Sequence, residues 1–143
     1  MTTGIIVCGH GHFATGIAST VGLIAGEQDD FKAVDFNGSD DLSVLLQQAI
    51  DELNCEQLII FTDILGGAPF RQASLIAGQR DNCEVVAGVT PAMLIEACLE
   101  RDDYDDLSES VDELIDSGRE GVTCLRQQLG NKASSAASDD DGI

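Results

Sequence analysis

Aromatic and basic side chains are scarce in this chain of 143 residues. It has one Tyr and no Trp, and 7 Lys and Arg residues stand against 26 Asp and Glu residues, for a formal net charge of −19. Nucleic acid and anionic membranes are poor partners for such a surface, because their phosphates are repelled and few rings are present to stack on bases. The charge favours solubility or a partner with a basic patch, and the composition is compatible with both.

Paired cysteines and long apolar runs are also missing. The cysteines are odd in number and show no CxxC spacing; they are Cys8, Cys55, Cys83, Cys98 and Cys124. This pattern argues against a disulfide framework and against a structural zinc site. No segment has the character of a signal peptide or a membrane span. We therefore expect buried free thiols in a protein of the reducing cytoplasm.

Short apolar runs alternate with segments of helical periodicity. The runs predict strands at Gly4–Cys8, Lys32–Phe36, Gln57–Asp63 and Cys83–Val89, with a short edge strand at Val122–Leu125. Helices are predicted at Phe13–Ala25, after an N-cap at Ser39, at Pro69–Ala77, from an N-cap at Thr90 to Glu100, and at Leu107–Gly118. The alternation indicates an α/β fold, a single three-layer domain over residues 1–130 with a mainly parallel sheet flanked by helices. The polar segment 131–143 is predicted to be a disordered acidic tail.

Two turns of unusual composition lie at the carboxyl edge of the predicted sheet, where parallel sheets collect ligands and chemistry. The first, Gly9–His12 within the segment VCGHGHFATG, contains His10 and His12, the only histidines in the sequence. The second, residues 63–67, follows the third strand and contains Asp63, Gly66 and Gly67. These turns are the candidate functional site.

His10 lies between Gly9 and Gly11, in a turn that joins a strand to a helix. The glycines remove side-chain bulk, so another molecule can approach the imidazole. The helix predicted from Phe13 directs its positive end into the same space, where backbone N–H groups bind phosphate. A histidine there is suited to proton transfer or to attack on phosphorus. A turn histidine that only bonds the backbone is the alternative.

Asp63 ends an apolar strand, where a charged side chain must be paired or solvated. In a parallel sheet it can neighbour His10, hold one imidazole nitrogen and stabilise the positive ring that forms after attack. The alternative is that Asp63 caps the following loop. Gly66 and Gly67 allow this turn to be tight, and the N–H groups of Ala68 and the residues after it can then cradle a phosphoryl group. The candidate phosphoryl-binding residues are Gly11, Gly66, Gly67 and Ala68.

Three further residues have weaker claims. Cys8 is two positions before His10, so a strand points both to one side and a nucleophile pair is conceivable; a small buried hydrophobic side chain is the simpler interpretation. His12 is interpreted first as a surface residue, and contact with a ligand or capping of the helix is the alternative. Arg71 either faces a phosphoryl group or lies on the surface.

Several segments together resemble a known family. IIVCGHGHFATGI, LIAGEQ, VDF and above all FTDILGGAPFRQAS are similar to the IIA components of the mannose-type sugar phosphotransferase system. The resemblance extends over residues 4–129. CEVVAGVTPAMLIE, GREGVTCLRQQLG and the ending GI are most similar to the N-acetylgalactosamine/galactosamine branch.

The resemblance implies a phosphotransferase that acts as a cytoplasmic phosphoryl carrier without metal or cofactor. His10 matches the family's phosphohistidine and Asp63 its supporting aspartate. The phosphoryl group would come from the histidine phosphocarrier protein and pass to a IIB component, during uptake of N-acetylgalactosamine, galactosamine or a mannose-type sugar by membrane permease components. The resemblance also implies a homodimer that exchanges the strand Val122–Leu125 between subunits.

Three alternatives stay open on the sequence. A IIA-like carrier of a dihydroxyacetone kinase system would use the same His10 chemistry with another acceptor. A regulatory module without turnover would bind a small anion at the Gly-rich edge. A thiol enzyme would use Cys8 with His10.

Overall fold

Strands and helices alternate through most of residues 1–134, the part of the chain that the computed structural model describes. The strands are β1 (Thr3–His10), β2 (Phe31–Phe36), β3 (Gln57–Thr62) and β4 (Cys83–Val86). The helices are α1 (Phe13–Ala25), α2 (Leu42–Asp51), α3 (Ala68–Ala77), α4 (Pro91–Glu100), α5 (Leu107–Glu120) and α6 (Leu125–Ser134). A short 3₁₀ turn, Arg101–Asp103, follows α4. The predicted α/β class is confirmed.

The sheet is parallel and has the strand order β2-β1-β3-β4. The chain passes from β1 to β2 on one side and then returns to β3 on the other, so its direction of winding reverses between β1 and β3. The carboxyl ends of two strands at such a reversal border a crevice. Cys8 in β1 is in register with Thr62 in β3. His10 and Asp63, which follow them, therefore meet at this crevice.

Helices cover both faces of the sheet. The core between the sheet and α1, α4 and α5 includes Val7 and Leu94, and the core beneath α2 and α3 includes Ile6 and Leu46. Because successive side chains of a strand point to opposite faces, the neighbours Ile6 and Val7 are both fully buried in different layers. Within residues 1–134, none of the helices combines the length and hydropathy needed to cross a bilayer.

The start of α2 differs from its prediction. Its N-cap is Asp41 rather than Ser39, and the Asp41 carboxylate accepts from the N–H groups of Ser43 and Val44. The Asn37 side chain accepts from the Ser39 amide at 2.9 Å and holds that residue in a turn before the helix. The prediction of Ser39 as the N-cap is wrong, because the Asn37 side chain holds Ser39 in a turn that precedes α2.

The predicted edge strand at Val122–Leu125 is wrong for the described chain. Residues 122–124 have no regular structure, and α6 begins at Leu125. A strand without a partner leaves its N–H and C=O groups unpaired, whereas a helix pairs them internally. The helix runs past the predicted domain end at residue 130 to Ser134 and so covers the first residues of the predicted tail. Residues 135–143 of that tail lie outside the described part.

Candidate functional site

Asp63 holds His10 at the crevice between β1 and β3. The Asp63 Oδ2 atom is 2.8 Å from His10 Nδ1 and 2.9 Å from the His10 amide nitrogen. The His10 side chain is 45% exposed, whereas that of Asp63 is 11% exposed. The two residues that the sequence singled out therefore come together, with the carboxylate recessed behind a solvent-facing imidazole.

The protonation of this pair follows from the environment of Asp63. Burial raises the pKa of the Asp63 carboxyl, but hydrogen bonds from the amide and ring of His10 and from the Ile64 amide outweigh burial, so this pKa lies below its ordinary value. An ionised carboxylate only accepts hydrogen bonds, so His10 Nδ1 carries the shared proton, and in the neutral imidazole the lone pair is then on Nε2. Asp63 also caps its loop, because its Oδ1 accepts from Ile64 at 2.9 Å.

Two neighbours fix the plane of the His10 ring. A β-carbon at Gly67 would lie only 2.9 Å from His10 Cε1, closer than van der Waals contact allows, so the missing side chain lets the backbone approach the imidazole. On another side, the Phe36 ring packs edge-on, with 5.9 Å between ring centroids and 64° between planes. The imidazole is thus confined by contacts as well as by its carboxylate.

The amino end of α3 lies against His10 and offers hydrogen-bond donors. The N-cap is Gly67, and no side chain caps the helix. The first-turn N–H groups, including those of Ala68 and Phe70, have no acceptor within the helix. Gly66 has a φ of +81°, which allows the tight turn before the helix. An anion held by His10 Nε2 would be close to these donors.

The two glycines that flank His10 have different roles. Gly11 has a φ of +58° and donates its N–H to the Phe36 carbonyl at 2.7 Å, so its amide is already engaged and it contributes the turn itself. A β-carbon at Gly9 would lie 2.6 Å from Phe13 Cδ1. Gly9 therefore lets α1 pack closely on β1, rather than opening a path for another molecule.

Cys8 is fully buried in the core beneath α2 and α3. Burial, with smaller effects from the charges of Asp63 and Asp35, raises the pKa of its thiol to about 12. Since the thiolate is the reactive form, this thiol is inert at neutral pH. The interpretation as a small hydrophobic side chain fits the structure, and the thiol-enzyme alternative does not.

The sequence profile of the family described as "PTS system fructose IIA component" matches residues 4–115, where PTS denotes the phosphotransferase system. The match includes both turns of the site. The chain belongs to this family of IIA components.

Relatives of this IIA component are named as mannose-specific, sorbose-specific and fructose-specific components of the phosphotransferase system. It is 32% identical over 140 residues to the PTS system mannose-specific EIIAB component of Escherichia coli strain K12, covering 95% of this chain but only 43% of the relative's length. It is 28% identical over 132 residues to the PTS system sorbose-specific EIIA component of Lacticaseibacillus casei, covering 90% of this chain and 95% of the relative.

Solved structures share the fold. The phosphotransferase system component EIIA from Streptococcus agalactiae superimposes with a TM-score of 0.80 at 31% identity, over 87% of this chain and 98% of the other. The mannose/sorbose-specific IIA subunit from Enterococcus faecalis gives a TM-score of 0.76 at 27% identity, over 87% and 96%. These similarities agree with the single α/β domain described above.

A second imidazole–carboxylate pair lies next to the first in this IIA component. The His12 side chain is 95% exposed, and its Nδ1 is 3.2 Å from Asp35 Oδ2. Asp35 is held more firmly by Thr15, whose hydroxyl and amide donate to it at 2.7 and 3.0 Å. Burial raises the pKa of Asp35, but the hydrogen bonds from Thr15 and His12 bring it below its ordinary value. His12 is the N-cap residue of α1 and a surface residue.

Sequence reasoning missed two contributors to this site, Asp35 and Phe36. Both lie at the carboxyl end of β2, where Gly9 is in register with Asp35 and His10 with Phe36. The one available signal was their position at a strand end beside the central strand. Arg71 is exposed in the first turn of α3, which fits its surface interpretation and leaves its role toward a phosphoryl group a prediction.

Proposed function

We propose that this protein is a phosphoryl carrier that accepts phosphate on His10 Nε2 and passes it on in a sugar phosphotransferase system. The observation that carries the proposal is the 2.8 Å contact between His10 Nδ1 and the ionised Asp63. It fixes the tautomer and leaves one exposed nitrogen as nucleophile. The membership of the chain in the IIA family supports the same chemistry.

The transfer step is an exchange between two imidazoles. The lone pair of His10 Nε2 attacks phosphorus as the P–N bond of the donor phosphohistidine breaks in line, and the donor imidazole leaves with that electron pair. His10 keeps its proton on Nδ1, so the phosphorylated ring is positive, and Asp63 stabilises this charge through the shared proton. Transfer to the acceptor is the reverse reaction at the same site: the acceptor's nucleophile attacks phosphorus as the P–N bond to His10 breaks. Nothing in this exchange needs a nucleotide.

Charge that develops on the phosphoryl oxygens is stabilised at the amino end of α3. The free N–H groups there, with the helix dipole behind them, are donors in place before the reaction begins. Gly66, Gly67 and Ala68 form the cradle in this proposal, and Gly11 shapes the turn that follows His10. The Asp63 carboxylate lies behind the imidazole and contacts its Nδ1, so its negative charge acts on the ring.

The donor in this proposal is the histidine phosphocarrier protein, and the acceptor is a cognate IIB component. The transfer takes place in the cytoplasm, and the IIB component works with permease components in the membrane. Ile64 and Leu65 are 55% and 77% exposed beside the site, an apolar rim on which another protein can dock. The sugar is N-acetylgalactosamine, galactosamine or of the mannose type, on the strength of the sequence resemblance.

The proposal includes a homodimer. Val122, Leu125 and Leu129 are 75%, 74% and 58% exposed in and before α6, and a partner subunit would cover them. Light scattering should give the mass of two chains at micromolar concentration. A monomer at every concentration would remove the dimer from the proposal without touching the chemistry of His10.

Intact mass after incubation with phosphoenolpyruvate, enzyme I and the phosphocarrier protein, each omitted in turn, tests the proposal. We expect one acid-labile, base-stable phosphoryl group that requires all three. It should be lost in His10→Ala and kept in His12→Ala, a matched control because it removes the neighbouring exposed imidazole. Labelling that persists in His10→Ala or is lost in His12→Ala would contradict the site assignment.

The acceptor is tested separately, with the phosphorylated protein. Discharge by a IIB component supports the sugar pathway, whereas discharge only by a dihydroxyacetone kinase subunit assigns the carrier to that system. Saturable binding of small phosphorylated metabolites without covalent labelling would instead favour the regulatory module.

A further inference from the structure

Asn37 and Gly38 form an exposed turn between β2 and α2, directly after Phe36. Asn37 is the only asparagine of the chain that a glycine follows. Gly38 has a φ of +93°, and no atom lies within 4 Å of the position that a β-carbon would occupy. No side chain therefore crowds the peptide link between these two residues.

The carboxamide oxygen of Asn37 accepts hydrogen bonds from several donors of the same turn. Its Oδ1 atom is 2.9 Å from the Ser39 amide nitrogen, 2.9 Å from the Asp40 amide nitrogen and 3.2 Å from the Ser39 hydroxyl. These donors hold the carboxamide in place and draw electron density away from Cγ. They would also stabilise the negative charge that forms on Oδ1 when a nucleophile attacks Cγ, as the donors of an oxyanion hole do.

The nucleophile nearest to this carbon in the chain is the backbone nitrogen of Gly38, and it is not engaged. Within residues 1–134, neither the Gly38 N–H group nor the Asn37 Nδ2 group donates a hydrogen bond to a protein acceptor. The Gly38 nitrogen can therefore lose its proton to solvent without breaking a bond of the fold. Its attack on Cγ of Asn37 closes a succinimide ring.

We propose that Asn37 deamidates spontaneously and that the product slows phosphoryl acceptance at His10. The Gly38 nitrogen gives its proton to a solvent base, and its electron pair forms a bond to Cγ. The Cγ–Nδ2 bond then breaks, and ammonia leaves with a proton from water. Water next opens the succinimide: cleavage of the new N–Cγ bond gives aspartate, whereas cleavage of the original peptide bond gives isoaspartate, in which the main chain runs through the β-carbon.

The modified turn adjoins the His10 site through Phe36. The Phe36 ring packs edge-on against the His10 ring, and its carbonyl accepts from the Gly11 amide at 2.7 Å. Either product adds a carboxylate next to Phe36, and a negative charge there repels an approaching phosphoryl group. Isoaspartate also lengthens the main chain directly after Phe36, which loosens the contact that confines the imidazole. This consequence rests on the phosphoryl transfer proposed above, whereas the deamidation itself does not.

Peptide mapping by mass spectrometry, with methylation by an isoaspartyl methyltransferase, tests the modification in the full-length protein aged at mildly alkaline pH. We expect Asn37 to convert faster than Asn54 and Asn82, which are also exposed but precede cysteines. Gly38→Ala should slow the conversion by about tenfold, because its β-carbon hinders the attacking nitrogen. Asn37→Gln should show almost none, because its longer side chain does not form a succinimide.

The urea-unfolded chain, aged in parallel, tests whether the folded turn promotes the reaction. The folded protein should convert at least as fast as the unfolded chain, since only the folded turn fixes the donors around Oδ1. Slower conversion in the folded protein than in the unfolded chain, or no conversion of Asn37 at all, would overturn the proposal.

Rapid-quench measurement of phosphoryl acceptance tests the consequence. Asn37→Asp, which contains one of the products, should accept about threefold more slowly at low salt, and the difference should shrink as salt screens the charge. The aged wild type should be slower still, whereas aged Asn37→Gln should keep its fresh rate. Asn82→Asp is the matched control, because it adds the same charge in an exposed turn before β4, at the opposite edge of the sheet.

The outcomes separate the modification from its effect. Equal rates for Asn37→Asp and Asn82→Asp, with no loss of rate in the aged wild type, would overturn the effect on His10. A fresh wild type that accepts no phosphate would contradict the proposed function, while the peptide map would still decide the modification.

Discussion

Replacing Gly67 with Ala places a methyl group against the His10 ring. The added β-carbon would lie 2.9 Å from His10 Cε1, and ordinary contact begins at 3.4 Å, so the ring must retreat by about 0.5 Å. Phe36 packs edge-on against the ring, and the Nδ1 contact to Asp63 is already short at 2.8 Å. The ring can therefore move only by weakening its hold on Asp63 or by leaving its preferred rotamer.

The expected effects on stability and on rate are different. Gly67 has φ −72° and ψ 173°, which Ala adopts without strain, so the loss of unfolded-state entropy stabilises the variant by about 0.4–1 kcal/mol. An off-rotamer His10 costs about 0.5–1.5 kcal/mol, so the free energy of unfolding should change by less than about 1 kcal/mol. Misplacement of a reacting atom by part of an ångström should slow phosphoryl transfer by about 10- to 100-fold.

Rapid-quench measurement of phosphoryl acceptance, with urea unfolding of the same samples, separates the two effects. Gly22→Ala is the matched control, because nothing outside its own helix lies within 4 Å of its added β-carbon and it lies near the carboxyl end of α1, whereas His12 is the N-cap. This control should transfer at the wild-type rate. A Gly67→Ala rate within twofold of wild type would refute the claim that close backbone approach positions His10.

The remaining predictions concern Asp63 and Gly11. Asp63→Asn should keep the fold and slow phosphoryl acceptance by about 10²-fold in the same rapid-quench assay, because a neutral amide does not stabilise the positive ring; an unchanged rate would remove the assigned role. Since the folded pKa of Asp63 lies below its ordinary value of 3.8, its contribution to stability is present above that pH and is lost as the pH falls through the folded pKa. Urea unfolding at neutral and at acid pH should therefore show a larger acid loss for wild type than for Asp63→Asn, and equal losses would argue against an ionised Asp63. Gly11→Ala should destabilise the protein by about 1–2 kcal/mol in urea unfolding, because its φ of +58° strains any residue with a β-carbon although the space is open; no loss would mean that the turn relaxes.

The pairing of His10 with Asp63 was predictable because parallel strands bring their carboxyl ends to one edge. The apolar runs located the two strands, and the charged residues at their ends then had one place to meet. The α4 cap was predictable in the same local way, since Thr90 precedes Pro91 and its hydroxyl accepts from the Met93 amide.

Contacts that depend on register or on close approach were not predictable. The pairing of His12 with Asp35, and of the His10 ring with Phe36, requires knowing how β1 and β2 align. To predict that Gly9 faces Phe13 and that Gly67 faces His10, one needs the positions of two helices. Such facts arise from packing between elements distant in sequence, which periodicity does not encode.

The C-terminal segment shows the opposite failure, a local pattern without a tertiary partner. Val122–Leu125 has strand-like composition, but the sheet of the described chain ends at β2 and β4, and Leu125 begins a helix. Propensity for a strand counts only where a neighbour completes the hydrogen bonds.

The central claim is that Asp63 occupies His10 Nδ1 and leaves Nε2 to carry the phosphoryl group. Phosphorus NMR of the phosphorylated protein at alkaline pH, compared with free standards of the two phosphohistidine isomers after denaturation, tests this most directly. The account predicts the Nε2 isomer alone. A signal from the Nδ1 isomer would contradict it, because that nitrogen could react only after releasing Asp63.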